Sequence, residues 1–247
     1  AVSFNYIPSN IRVPLFYAEM DNTQAVYFTQ NKRTLLIGQK ITAGTAVVNT
    51  PYLVSTTDMA KTLFGRGSML DRMHGMYRQQ DSFGEVWCIA VPDAGGGTNA
   101  TGTITVGGPA TAAGTINLYI AGQRVQVAVS SGDASTAIAT AINAAINAAT
   151  DLPITSTVAT SVVTMTCRWK GATGNDIAVS DSFRGWAGGE ALPTGVTLTY
   201  TGSGFLTTGA TNPTLAGNAI TAMGDDEYDY VIHPYNDSTN LDAFVTE

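Results

Sequence analysis

The stretch from residue 53 to residue 91 restricts the possible folds of this chain more than any other. A nearly continuous apolar run, 86–91, ends this stretch, and a similar run at 34–38 precedes it. Runs this apolar are typical of strands buried on both faces, as in a parallel sheet. Two helices are predicted between the two runs, so the whole forms a crossover connection, which is almost always right-handed. We therefore predict an α/β body: a mixed sheet with flanking helices.

The two predicted helices have recognisable ends. Ser55 is expected to cap the first helix, with Asp58 at its third position and Gly65 as its stop. Ser68 is expected to cap the second helix. The second helix has an apolar face made of Met69, Leu70, Met73, Met76 and Tyr77. Its polar residues are expected mostly on the opposite face, and they are Asp71, Arg72, Arg78 and Gln79.

The composition changes after Pro92 and changes back near Pro213. The intervening segment, 94–211, is rich in Thr, Val, Ala and Gly and is predicted to be an inserted, mostly β domain with one helix. Asp133 is expected to cap that helix, which carries Ile138, Ile142 and Ile146 at helical spacing. Strands are predicted at 103–106, 116–120, 125–129, 154–158, 162–169 and 196–200, with a Gly-containing hairpin turn at 121–123.

The chain after residue 212 returns to the α/β style. A helix is predicted at 215–223, a buried strand at 228–233 and the start of another helix at 238–245. Residues 21–93 and 212–247 are therefore interpreted as one discontinuous body whose sheet is incomplete at the C-terminus. That incompleteness suggests a fragment of a longer chain.

Residues 1–20 are predicted to form an extended N-terminal arm. Pro8 and Pro14 exclude a regular helix there. The arm is too apolar for a solvated tail, and it can dock on its own domain or on a neighbouring chain. Its apolar residues include Phe4, Tyr6, Ile7, Phe16 and Tyr17.

Charge and composition exclude several classes of protein. The net charge is −7, the pI is about 4.7, and Lys and Arg do not cluster, which argues against a nucleic-acid partner. No apolar run is long enough for a membrane span, and the N-terminus is not a signal peptide. Cys88 and Cys167 are expected to be buried free thiols, so synthesis in a cytoplasm is predicted. Only 13% of the residues are charged, which fits either a surface packed against neighbours or a surface of Thr, Ser and Asn.

No motif points to catalysis, and we predict no enzyme, no catalytic residues, no cofactor and no metal site. Gly65-Arg-Gly-Ser68 lacks the lysine and the preceding strand of a phosphate-binding loop. His74 and His233 are distant in sequence and do not form a zinc pattern with the cysteines. The densest carboxylate cluster can bind a divalent cation or, as we favour, can be a solvated loop; it contains Asp225, Asp226, Glu227 and Asp229.

Six segments, spread in order over the whole chain, resemble the tail sheath protein of Mu-like contractile-tailed bacteriophages. They are Ile7-Pro-Ser-Asn-Ile-Arg-Val-Pro14, Asn31-Lys-Arg-Thr-Leu-Leu-Ile-Gly38, Phe64-Gly-Arg-Gly-Ser-Met-Leu70, Leu118-Tyr-Ile-Ala-Gly-Gln-Arg-Val125, Lys170-Gly-Ala-Thr-Gly-Asn-Asp-Ile177 and Tyr228-Asp-Tyr-Val-Ile-His-Pro-Tyr235. Family members are longer, so the resemblance implies the N-terminal half of such a subunit. The missing C-terminal half would carry ring-to-ring and tube contacts.

The resemblance implies a structural protein of the virion tail. Such subunits polymerise as stacked six-fold rings around the tail tube and contract to drive the tube through the host envelope, as part of viral genome ejection. The implied partners are other copies of the chain in hexameric rings, the tail tube protein, and the baseplate and tail terminator proteins. The implied locations are the virion and, during assembly of this late protein, the host cytoplasm. The alternative is a β-rich surface- or carbohydrate-binding module that uses Trp169, Trp186 and Tyr200.

Overall fold

The computed structural model describes residues 32–246, together with Asn10, Arg12 and Phe16. The chain divides into a first unit, 1–31, and a second unit, 32–247, and the fold given below is that of the second. Apart from those three positions, the predicted arm lies outside the described residues.

The described part of the second unit is a mixed α/β fold with three sheets and five α-helices. In chain order the elements are β1 (Arg33–Gln39), β2 (Pro51–Leu53), α1 (Thr57–Phe64), α2 (Met69–Gln80), β3 (Glu85–Val91), β4 (Asn99–Gly107), β5 (Gly114–Ile120), β6 (Gln123–Val129), α3 (Ser135–Ala148), β7 (Ile154–Ala159), β8 (Val162–Lys170), β9 (Val179–Asp181), β10 (Thr197–Tyr200), α4 (Thr221–Met223), β11 (Tyr230–Ile232) and α5 (Ser238–Val245).

The first sheet has the strand order β11-β1-β3-β2. Strands β1 and β3 run parallel in register from Arg33 opposite Glu85 to Gln39 opposite Val91. Strand β11 is parallel to β1 on its other side, and β2 is antiparallel to β3. The predicted parallel pairing of the two apolar runs is therefore confirmed.

Both faces of this sheet are buried at its centre. On the first face, Leu36 and Cys88 pack in one apolar cluster with Phe64 of α1 and Leu70 of α2. On the second face, Leu35 and Ile89 belong to a larger cluster, which also includes Leu215, Ala219, Ile220 and Tyr235 from the segment around α4 and β11. Helices thus cover both faces, which explains why the central strands are apolar at almost every position.

The beginning of α1 differs from the prediction by one residue. Thr56, not Ser55, is the cap, and its hydroxyl accepts a hydrogen bond from the backbone N–H of Met59 at 3.2 Å. The stop at Gly65 and the cap at Ser68 are confirmed; Gly65 has a φ of 85°, which favours glycine. Both Ser55 and Thr56 can cap a helix, and only the backbone path selects the second.

The orientation of α2 corrects two predicted positions. Met76, expected in the core, is 62% exposed, whereas Asp71, expected on the polar face, is buried. Asp71 accepts a hydrogen bond from the N–H of Gly67 at 3.0 Å. The predicted polar face also meets the middle segment of the chain, since Arg72 donates to the backbone oxygen of Ala121 at 3.1 Å. The helix is covered on two sides, so a single apolar stripe describes it poorly.

The middle segment contains two antiparallel sheets, with orders β10-β4-β8-β7 and β6-β5-β9. Strands β5 and β6 form the predicted hairpin, whose turn is at Ala121 and Gly122, both with positive φ. Burial alternates along β4 and β8, as expected for strands with one face in the core. The six predicted strands are all present.

Helix α3 packs against strands of both antiparallel sheets. Ile138, Ile142 and Ile146 are buried, as predicted from their spacing. The predicted cap is wrong: the Asp133 carboxylate accepts a hydrogen bond from the N–H of Ser130 at 2.7 Å, and the cap position is Ala134, without a side-chain bond. Asp133 thus closes the preceding turn instead of the helix.

The C-terminal elements agree with the prediction in order but not in burial. A π-helical turn, Ala216–Ile220, runs into α4, and α5 has the predicted bounds. The strand is shorter than the expected 228–233, and it is not buried, because Tyr230 is 50% and Ile232 is 40% exposed. The reason is its position at the edge of the first sheet among the described strands.

Candidate functional site

The predicted carboxylate cluster surrounds an arginine. The backbone N–H of Arg33 donates to Asp229 at 2.7 Å, and the Arg33 guanidinium donates to the carbonyl oxygen of Glu227 at 3.2 Å. The same guanidinium lies 5.0 Å from the ring centre of Tyr228 and 5.2 Å from that of Trp87. The cluster therefore orders the loop that leads into β11. In residues 32–246, no three His, Cys, Asp or Glu side chains are placed to share a metal ion.

The histidines and cysteines lie on separate elements. His74 is fully buried in α2, with Nε2 3.2 Å from the carbonyl oxygen of Val54, and burial lowers its pKa. His233 stacks on Phe244 with ring centres 4.9 Å apart, and burial lowers its pKa as well. Burial thus favours the neutral form of both histidines.

Both cysteines are buried and unpaired, as expected. Burial raises the pKa of the Cys88 thiol, and it raises the pKa of Cys167 to about 12. Neither thiol is a nucleophile at neutral pH, because the thiolate is the reactive form.

The Gly65-Arg-Gly-Ser68 loop contacts the middle segment directly. Gly67 has a φ of 73°, and a Cβ there would lie only 2.3 Å from the carbonyl oxygen of Leu152. Arg66 forms a bidentate ion pair with Asp151, at 2.9 and 3.3 Å. The glycines thus allow close approach of two backbones, and the loop has a structural role.

Two half-buried arginines lie at the same contact, Arg72 on the side of the body and Arg168 within the middle segment. Arg72 of α2 donates to the carbonyl oxygens of Ala121 and Asp151, at 3.1 and 3.4 Å. Arg168 of β8 donates to the carbonyl oxygen of Leu152 at 2.8 Å. Guanidinium groups thus satisfy backbone oxygens on both loops of the middle segment that face α2.

A second contact lies at the C-terminal end of β1. The fully buried Gln39 amide donates to the carbonyl oxygen of Lys170 at 2.7 Å and to the Asp93 carboxylate at 2.5 Å. Tyr235 donates to the Gln39 side-chain oxygen at 3.3 Å. The hydrogen bond from Gln39 to Lys170 is thus a second link between the body and the middle segment.

An open cleft of about 590 Å³ lies between the helices of the body and the β5–β6 turn. Its charged lining residues are Lys61, Asp71, Arg72, Arg78 and Asp151. Both signs of charge are therefore present in the lining of the cleft.

Of the three aromatic residues named for the carbohydrate-binding alternative, only Trp186 is exposed, at 89%. Trp169 is buried and donates to the Thr173 hydroxyl at 3.1 Å. Tyr200 is half-buried and donates to Asp181 at 2.8 Å. The expectation for Trp169 and Tyr200 is therefore wrong, because their alternation along the strand places them toward the core.

Phe183, which the sequence did not single out, lies near Trp186 in the chain and is 77% exposed. The loop carrying both rings is held from below by Glu190, a buried carboxylate that accepts hydrogen bonds from the Tyr119 hydroxyl at 2.6 Å and from the Arg184 N–H at 3.0 Å. The Tyr119 and Phe183 ring centres are 5.6 Å apart. Hydrogen bonds to Glu190 therefore hold the loop that carries the two exposed rings. In the sequence, the glycines that flank this loop were the feature that could have indicated it.

The edges of the first sheet are the other surfaces suited to a protein partner. Among the described strands, β2 lies at one edge and β11 at the other, and each has only three residues. A strand edge offers unpaired backbone groups that can bind an extended segment.

Within residues 32–246, no helix has both the length and the apolar character needed to cross a membrane.

Comparison with known proteins shows where the chain has relatives. Residues 95–201 match the family described as phage tail sheath protein beta-sandwich domain. The chain is 40% identical over 243 residues to the Mu-like prophage FluMu tail sheath protein of Haemophilus influenzae, covering 98% of this chain and 48% of the relative. The chain thus spans about half the length of that curated relative. A solved structure from Mycobacterium phage Patience is 17% identical to this chain and covers 47% of it and 46% of the other chain. Its TM-score of 0.23 is too low to support any conclusion.

Proposed function

We propose, from the membership of this chain in the family of Mu-like phage tail sheath proteins, that it forms part of a structural subunit of a contractile phage tail sheath. The observation that carries the proposal is the 40% identity over almost the whole chain. The fold alone does not specify this function, because α/β sheets and β-sandwiches serve many functions.

The proposed assembly follows from the family. Subunits polymerise as stacked six-fold rings around the tail tube, and the sheath contracts to drive the tube through the host envelope. The partners are other copies of the subunit, the tail tube protein, and the baseplate and tail terminator proteins. The site of action is the virion, after assembly in the host cytoplasm. Only 13% of the residues are charged, which is consistent with extensive contact between subunits.

The proposed domain organisation has three parts. They are an arm (1–20), a discontinuous body (21–93 and 212–247) and an inserted β-rich domain (94–211). The family match at 95–201 and the position of both antiparallel sheets between residues 99 and 200 support the insertion. The excised segment 94–211 should give a well-dispersed amide spectrum; a collapsed spectrum would show that it needs the body.

A non-enzymatic role is part of the proposal. Its support is the family and the position of Arg33 in the carboxylate cluster before β11, where its guanidinium lies 4.0 Å from Asp226 and its backbone N–H donates to Asp229. Replacing Asp225, Asp226 and Glu227 together by alanine should leave folding and assembly nearly unchanged. Metal-dependent turnover that this triple variant abolishes would refute the proposal.

The arm provides the test of assembly. We expect this chain alone to be largely monomeric, because in the family the acceptor sheet for such arms lies in the part of the subunit that this chain lacks. Deleting residues 1–18 should therefore change its light scattering little, but should abolish tube formation by a full-length subunit. Rings formed by the present chain and broken by the deletion would place the acceptor within these residues. A full-length subunit that never forms tubes would refute the sheath function itself.

The surface-binding alternative now depends on one loop. Phe183 and Trp186 are exposed on a loop that hydrogen bonds to Glu190 hold in place, and exposed aromatic rings can stack on a ligand. Glycan-array binding that Trp186→Ala abolishes, while Trp169→Phe leaves it intact, would favour this alternative. Normal tube formation without glycan binding favours the sheath function alone.

A further inference from the structure

The outer side of β11 carries unpaired backbone groups. The N–H of Val54 donates to the carbonyl oxygen of Val86 at 2.9 Å, so the even-numbered residues of β3 face β2 and its odd-numbered residues face β1. In a parallel ladder, alternate residues face the same neighbour, and with Leu35 opposite Trp87 the odd-numbered residues of β1 therefore face β11. Because Leu35 lies opposite Val231, Tyr230 and Ile232 bond β1, and Val231 turns its N–H and C=O groups to the edge that is free among the described strands.

The sheet itself shows the direction in which the next strand would be added. From β1 to β3 the chain crosses the first face with α1 and α2. From β3 to β11 it moves in the opposite direction across the sheet, and the segment around Leu215 and Ala219 covers the second face. These two connections have the same handedness, as the right-handed rule requires.

Helix α5 lies on the second face as well. Ala243 and Phe244 pack on the cluster that contains Leu35 and Ile89, and Asn240 accepts a hydrogen bond from the N–H of Leu215 at 2.8 Å. A right-handed connection over this face must continue in the direction from β3 to β11. The strand that follows α5 therefore belongs beyond β11, at its free edge.

The side chains of β11 also indicate incomplete coverage. Tyr230 and Ile232 share the first face with Thr34 and Leu36, their partners in the register. Thr34 and Leu36 are buried under α2 and its neighbours, but Tyr230 and Ile232 remain half exposed. The related sheath protein is about twice as long as this chain, so it has residues enough for further elements.

We propose that the free edge of β11 binds one further parallel strand of the same polypeptide, carried by the residues that follow α5 in a full-length subunit. The proposal rests on the sheath assignment only in requiring a longer chain. The occupant is in cis, because α5 already lies on the face from which a right-handed connection reaches this edge. An extended segment from a neighbouring subunit is the competing occupant.

Hydrogen exchange tests this proposal with an internal control. In the present chain, the amide of Val231 should exchange fast, and the amide of Ile232 should be protected. In a dilute, monomeric full-length subunit, exchange at Val231 should slow by at least about tenfold, while Ile232 changes little. Protection that appears only after assembly would assign the edge to a neighbouring subunit and overturn the proposal. Protection already present here, or absent from both forms, would overturn it too.

A pair of proline variants gives an independent readout. Val231→Pro removes an outward N–H, so it should lower the melting temperature of the full-length subunit more than that of the present chain. Ile232→Pro removes an inward N–H and should lower both by similar amounts. Equal effects of Val231→Pro on the two lengths would refute the proposal. Neither experiment measures tube formation, so a failed sheath function and a failed strand assignment remain distinguishable.

Discussion

The first sheet and the two antiparallel sheets of this chain are built in opposite ways. Strands β1, β3 and β11 are parallel neighbours, although about 140 residues of chain separate β3 from β11. In the middle segment, β5 pairs with β6 through a tight turn, and β7 pairs with β8 in the same manner. The comparison teaches that antiparallel hairpins can be inferred from local sequence, whereas a parallel sheet depends on segments that meet only in the folded chain.

The helices of the two regions also begin differently. Side-chain hydrogen bonds cap α1, α2 and α5, from Thr56, Ser68 and Asp237. The cap residue of α3, Ala134, makes no side-chain hydrogen bond. Helix α3 instead depends on burial of its isoleucines between the two antiparallel sheets. The body therefore relies on specific polar contacts at its helix ends, and the middle segment relies on apolar packing.

The largest effects are expected from cavities in the core, whose larger apolar cluster takes residues from both regions. Ile89→Ala in β3 and Ile104→Ala in β4 each remove a fully buried side chain, so each should lower the free energy of unfolding by about 2–5 kcal/mol in urea denaturation. Hydrogen exchange should show that Ile89→Ala exposes the parallel sheet more than β4 to β8. Equal loss of protection in both regions would show that they unfold as one unit, contrary to the comparison.

The contact between the two regions is expected to be worth less. Arg72→Ala leaves the carbonyl oxygens of Ala121 and Asp151 without their donor, which should cost about 1–3 kcal/mol. Arg66→Ala is the matched control, because its ion pair with Asp151 is exposed and should contribute less to stability than the bonds of Arg72. Thermal unfolding measures both. An equal cost for the two variants would mean that the guanidinium of Arg72 adds nothing beyond a surface charge.

Helix capping gives a smaller and more local effect. Thr56→Ala should lower the free energy of unfolding by about 1 kcal/mol, because its hydroxyl bonds the N–H of Met59. Ser55→Ala should have almost no effect, as Ser55 lies outside the cap. Chemical denaturation of the two single variants is sufficient, and a larger cost for Ser55→Ala would reverse the assignment of the cap.

The smallest effect is a dependence on pH in the body. Burial lowers the pKa of His74, so the unfolded chain binds its proton more readily than the folded chain. The stabilisation from neutral His74 is therefore complete above about pH 6.5 and declines as the pH falls below that value. NMR titration should show that His74 stays neutral to a lower pH than a free histidine. A His74 pKa at or above the ordinary value would contradict this prediction.

The periodic features were readable from the sequence. The isoleucines of α3, the alternation in β8 and the hairpin turn at Gly122 are local, since each depends on a spacing that one face of an element imposes. Caps were less certain. Ser55 and Asp133 have the right chemistry, but the hydrogen bond goes to whichever residue the backbone brings into reach, and in both cases a neighbour occupies the cap position.

The exposed and buried positions of the candidate surfaces depended on long-range packing. Phe183 was not identified, because the Tyr119–Glu190 contact that orders its loop joins residues 71 positions apart. The carboxylates before β11 looked like a possible cation site until Arg33, far away in sequence, proved to lie among them. Tyr230 and Ile232 have the composition of a core strand, and only their place at the edge of the sheet leaves them exposed.

By itself, the sequence predicted a mixed α/β fold with a β-rich middle segment, and it showed a resemblance to phage tail sheath proteins, because these features depend on local periodicity and on short motifs. The tertiary structure decided the strand order β11-β1-β3-β2, the close approach of Gly67 to Leu152, and the free edge of β11. The physical reason is that pairing partners and burial are properties of segments far apart in the chain, whose meeting depends on the free energy of the whole fold.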